Sequence, residues 1–178
     1  MTTLINLYAG PGSGKSTTAA EVFAIMKKAG ISCELVTEWV KEWCWRGQQI
    51  DQAWDGVFIT AQQARRERAC YGKVDYIITD SPLGLGAVFE RVYSPENRIT
   101  YDLVRHYERQ QDKAGVTRVN CLLMRSKPYV QAGRYEDERA ARRVDSECEY
   151  FLRKSKSGPW VRVRTAQDVL VAAGAVLP

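Results

Sequence analysis

Residues 9–16 read Ala-Gly-Pro-Gly-Ser-Gly-Lys-Ser. Glycines at alternate positions let successive backbone N–H groups turn into one concavity, a lysine adds a mobile charge, and a serine adds a hydroxyl. That is equipment for gripping a chain of phosphates. The strict phosphate-loop pattern is G-x-x-x-x-G-K-[ST]. Here Ala9 departs from its first position, and Gly10, Gly12 and Gly14 supply the backbone freedom. The candidate ATP contacts are therefore Gly10, Pro11, Gly12, Ser13, Gly14, Lys15, Ser16 and Thr17. Lys15 is expected to reach the β- and γ-phosphates, and Ser16 to offer its hydroxyl to Mg²⁺. Such a loop binds a nucleoside triphosphate without dictating what becomes of the terminal phosphate.

Two carboxylates stand where a sheet would present them to that loop. Asp80 closes the apolar run YIITD and is a candidate Mg²⁺ holder together with Ser16. It would equally serve as an N-cap for a helix after Pro82, as would Ser81. Glu38, in ELVTEW, could take the proton from an attacking hydroxyl, or simply favour a helix N-terminus. Glu38 and Asp80 both remain candidates for the base.

Residues 125–145 carry Arg125, Lys127, Arg134, Arg139, Arg142 and Arg143. A closing lid that brings arginines, Arg134 and Arg139 among them, would stabilise charge spread over a transferring phosphoryl group and exclude water. The alternative is a solvated helix with local ion pairs. Four of five tryptophans fall at 39, 43, 45 and 54. Trp39 and Trp43 share a helical face and are candidate acceptor contacts, stacking on a base, unless they pack as core.

These groups need elements to position them. Apolar runs at 3–8, 32–37, 73–80, 118–124 and 160–164 read as strands. Amphipathic stretches at 15–29, 55–72, 83–93, 96–114, from 143 to about 154, and 166–174 read as helices, with 125–143 polar and Arg-rich. Alternation of strand and helix predicts an α/β fold, a parallel sheet covered on both faces. No linker or repeat divides the 178 residues, so one domain, 1–178, is expected, with a lid at about 125–145.

Composition narrows the class. With 45% hydrophobic residues and a net charge of +5, the chain is not a disordered one. No apolar run approaches a membrane span, and the N-terminus lacks a basic n-region and cleavage site, so no membrane partner and a cytoplasmic location are expected. Five isolated cysteines lack the spacing of a zinc or disulfide framework. One histidine, His106, gives little support to Ser-His or Cys-His chemistry. Basic runs at Arg65, Arg66 and Arg68 and from Arg153 to Arg164 are either solvated faces or a track for a nucleic-acid backbone.

The phosphate loop, ELVTEW, TDSP and the Arg-rich GRYEDERAARRVD together resemble small P-loop kinases related to thymidylate and deoxynucleoside kinases. They resemble more closely a bacteriophage group that includes the 5-hydroxymethyl-deoxyuridine DNA kinases. The resemblance implies a three-layer P-loop NTPase fold with a five-stranded parallel sheet ordered 2-3-1-4-5. It implies ATP and Mg²⁺ as cofactors, and Glu38 in the place of the acidic residue after strand two. It also implies transfer of a γ-phosphate to the hydroxymethyl group of 5-hydroxymethyluracil in phage DNA, a step in thymidine hypermodification. Ser81 stands where such kinases carry an arginine, which favours an unusual acceptor. The rivals are a kinase of free deoxynucleosides or their monophosphates, and an ATP-hydrolysing binding module of a DNA-processing assembly. Oligomeric state is left open, a homodimer included.

Overall fold

The computed structural model describes residues 1–132 and 134–175. Five strands, β1 (Thr2–Tyr8), β2 (Cys33–Val36), β3 (Tyr76–Thr79), β4 (Val116–Leu123) and β5 (Trp160–Val163), form one sheet. Its order is β2-β3-β1-β4-β5, and every pairing is parallel. This is the order implied by the resemblance.

The central strand β1 is buried on both faces, which is why it reads as a nearly unbroken apolar run instead of alternating. On one face of the sheet, α1 (Lys15–Lys28) and α7 (Ala166–Ala172) pack through Val22, Met26, Val169 and Leu170. On the other face lie α3 (Gln52–Arg68), α4 (Gly84–Tyr93), α5 (Ile99–Lys113) and α6 (Glu138–Lys154), whose core includes Tyr8, Val88, Val104 and Phe151.

The register fixes the site. Asn6 pairs with Thr79, so the chain leaving β3 at Asp80 runs beside the chain leaving β1 into the phosphate loop. The right-handed crossovers of a parallel sheet bring the loops after β1, β2 and β3 to one carboxyl edge.

Two expectations shift. The Trp-rich segment contains a short helix, α2 (Lys41–Trp45), and the following helix starts at Gln52, earlier than expected. The Arg-rich stretch is irregular only to Asp137, whose side chain accepts from the Ala140 N–H and starts α6 at Glu138. The pattern of charges hid this start, because a helix with one narrow apolar stripe looks polar along the chain.

Candidate active site

Gly14 ends the phosphate loop as the N-cap of α1, at φ 104°, a left-handed geometry that a side chain would strain. Helix α1 therefore points its N-terminus, with unpaired N–H groups, into a cleft. Pro11, Gly12, Gly14, Lys15, Ser16 and Thr17 line that cleft. Of the other loop residues, Ser13 is buried and Gly10 is engaged from behind: its N–H donates to Asp145 Oδ1 at 2.6 Å. The Lys15 ammonium donates to the Ala9 and Gly10 carbonyls at 2.8 and 3.1 Å.

Glu38 also lines the cleft, on the segment after β2. Burial pushes its carboxyl up, Lys15 opposes this, and Asp80 adds to it. Asp80 is buried beneath, where its Oδ1 accepts from the Glu38 N–H at 2.9 Å. One carboxylate thus fixes the backbone that carries the other. A buried carboxylate and the Ser16 hydroxyl are hard oxygen donors of the kind Mg²⁺ takes, so the residues present fit that ion.

The far half of the cleft is formed by Val40, Cys44, Trp45 and Ile50 on one side, and by Ile59, Thr60, Gln63, Leu85, Gly86 and Phe89 of α3 and α4 on the other. Gln63 has a fixed amide orientation. Its Oε1 accepts from the Trp39 N–H at 3.0 Å, a group that can only donate, and its Nε2 faces Thr79 Oγ1 at 3.4 Å. The space open to small molecules in the whole cleft is about 330 Å³.

The Arg-rich segment after β4 closes the remaining side of the cleft. The Tyr135 hydroxyl donates to the Gln48 carbonyl at 2.6 Å, tying the segment after β4 to the loop between α2 and α3. Arg134 and Glu136 line the cleft from this side. Arg134 caps its own turn by donating to the Val130 and Ala132 carbonyls. Burial pushes the Glu136 carboxyl up, while Lys15 and a hydrogen bond with Tyr93 pull it down.

Besides Gly10, Ser13 and Asp80, which sit behind the cleft wall, three candidates from the sequence are turned away from it. Arg139 lies exposed on the first turn of α6, because the helix starts before it and turns it outward. Trp39 and Trp43 do share a face, with ring centroids 5.1 Å apart, but they pack on Phe58 at 5.3 and 5.9 Å. Trp45 lines the cleft in their place. Sequence reasoning also passed over Gln63, Glu136 and Asp145. Each is a polar residue among neighbours of mixed type, which does not distinguish a site from a surface.

The basic run after residue 150 is partly neutralised by Glu149, which accepts from Arg153 and Arg162, each at 2.6 Å. Among the described residues no group of three or more His, Cys, Asp or Glu could hold a metal ion, and no helix is long and apolar enough to cross a membrane.

No family model matches the chain, and no curated protein matches it in sequence. Among solved structures it is similar to deoxyadenosine kinase from M. mycoides, determined with the products dCMP and a flexible dCDP bound. The TM-score is 0.56 at 17% identity, and the match covers 98% of this chain and 95% of that one. The chain shares the fold of that protein, a five-stranded parallel sheet with helices on both faces.

Proposed function

We propose that this P-loop fold is an ATP-dependent phosphotransferase acting on a hydroxyl group carried by a nucleoside-type acceptor. The observation that carries the reading is one cleft shared by the phosphate loop with Lys15, by Glu38 with its carboxyl pushed up, and by a lid tied across the opening. A pure hydrolase has no use for a lid that excludes water.

The triphosphate lies along the N–H groups of residues 12–16 at the head of α1. Lys15 leaves the Ala9 and Gly10 carbonyls for the β- and γ-phosphates, and its charge offsets the negative charge that develops there. Glu38 accepts the hydroxyl proton as the acceptor oxygen bonds to the γ-phosphorus and the bond to the ADP oxygen breaks. Arg134 supplies a second cation from the lid. Ser16 and Asp80 would hold Mg²⁺, which when bound would supply positive charge to offset that of the phosphates.

For the acceptor we favour the hydroxymethyl group of 5-hydroxymethyluracil within DNA. Trp54, two residues before the cleft-lining Gly56 in sequence, is 82% exposed, and Trp45 on the cleft wall is 66% exposed. Large exposed aromatics beside the opening suit the stacking of neighbouring bases better than they suit a free nucleoside. The Tyr135–Gln48 bond across the opening favours the second reading, a free deoxynucleoside enclosed by the lid. Labelled ATP supplied with duplex containing 5-hydroxymethyluracil, and separately with free deoxynucleosides and their monophosphates, decides between them. Label found only in the small molecules removes the DNA acceptor, and label found in neither removes the phosphotransferase.

A further inference from the structure

The phosphate loop is held from behind by two residues that lie far along the chain. Asp145, on α6, accepts from the Gly10 N–H through Oδ1 at 2.6 Å and from Arg125 Nε through Oδ2 at 2.9 Å. Arg125, two residues past β4, donates through Nη2 to the Pro11 carbonyl at 2.8 Å. Two successive residues of the loop, one as donor and one as acceptor, are thus fixed by a single ion pair.

Helix α6 also touches the loop directly. A Cβ on Gly10 would overlap the Ala141 carbonyl oxygen. The close approach that excludes a side chain thus falls at Gly10, one residue after Ala9. Arg125 is nine-tenths buried and its Nη1 has no partner. Burying a guanidinium with one nitrogen unpaired is a costly way to gain stability alone.

We propose that Arg125 and Asp145 are positioning residues for the triphosphate, a clasp through which α6 holds the entry of the phosphate loop in its phosphate-binding shape. The inference rests on the nucleotide-binding part of the proposed function. When Lys15 turns from the Ala9 and Gly10 carbonyls to phosphate, the clasp still holds the Ala9–Gly10 peptide unit by its N–H and the Pro11–Gly12 unit by its carbonyl, on either side of the unit between them. It also ties α6 to the phosphate loop, so the helix and the loop are held as one piece.

The test is calorimetric titration of the full chain with ATP, below the melting temperature of every variant. Asp145→Ala and Arg125→Ala are each expected to weaken ATP binding about 10- to 100-fold, the range of a hydrogen bond to a charged group. The double variant is expected to be no weaker than the worse single one, since the pair acts as a unit. Arg125→Lys is expected to recover part of the loss, because one ammonium cannot serve Asp145 and Pro11 with the fork of a guanidinium. A purely structural pair would lower the melting temperature without this pattern in affinity. Should Asp145→Ala fail to fold, Asp145→Asn replaces it, keeping an oxygen for Gly10 while losing the charge. Variants that bind ATP as tightly as the natural chain overturn the clasp alone. A natural chain that binds no ATP overturns the clasp and the phosphate-loop reading together.

Discussion

Lys15 and Glu38 occupy one cleft but differ in what their loss should reveal. Lys15 contributes charge where the triphosphate lies, and otherwise bonds only to loop carbonyls. Lys15→Ala should lower phosphoryl transfer by at least about 100-fold, as loss of a transition-state charge contact does, with an unchanged melting curve. Near-normal transfer would remove its role. Glu38 makes a prediction about pH. A base acts when deprotonated, and burial raises this carboxyl above the ordinary range of about 4.3. Transfer should therefore fall as pH drops, with a limb lying above that range. Glu38→Gln should abolish most activity and, with it, that limb. If Glu38→Gln turns over fully while Asp80→Asn is dead, Asp80 is the base and its hydrogen bond to the Glu38 N–H is incidental. The roles of both carboxylates were legible as strand-end positions. That one of them holds the backbone of the other was not, because 42 residues separate them.

At the scale of elements, the phosphate loop and α6 behave as one unit. Gly10→Ala should cost about 1–3 kcal/mol, as overpacking against a backbone carbonyl does. Ala9→Gly, which restores the strict motif, should cost less, since it removes one buried methyl and demands no movement. Chemical denaturation of the two variants measures both, and an equal loss would show that α6 yields to the loop. The lid strap makes a separate prediction. Tyr135→Phe removes the bond to the Gln48 carbonyl and little else, so it should raise ATP hydrolysis in the absence of acceptor by letting water in. Unchanged hydrolysis would show that this bond does not seal the cleft. The start of α6 at Asp137 was the element least visible in the sequence, since Asp137 sits within a run of charges in which any residue might have been the cap.

Across the whole molecule, the layer carrying α3 and α5 holds an acid with no place in the proposed chemistry. Glu67 is fully buried and accepts hydrogen bonds from Tyr71 and Gln111, while Arg118 of β4 donates to the other end of the same Gln111. Burial raises the Glu67 carboxyl to about 8, with both hydrogen bonds working against the shift. The folded value lies above the unfolded one, so the stabilisation is complete below the unfolded value and is lost as pH rises through about 8. Between pH 5 and 9 the natural chain should lose on the order of 4 kcal/mol from this group, and Glu67→Gln should flatten the profile. Thermal melts across that range read it, and parallel profiles would show that Glu67 ionises freely in the fold.

The amino-acid sequence alone determined the features that depend on neighbours along the chain. It placed the phosphate loop between a strand and a helix, set the alternation that makes a parallel sheet, and put carboxylates at strand ends. Each follows from local sterics, from apolar periodicity, or from which backbone groups a glycine frees. Tertiary structure decided what depends on residues brought together by folding. It turned Trp39 and Trp43 onto Phe58, left Trp45 on the cleft wall, moved Arg139 to the outside, and joined Asp145 to Gly10 across 135 residues. A side chain's type fixes what bonds it can make, but its partner is chosen by the packing of whole elements, and that choice leaves no periodic trace in the order of residues.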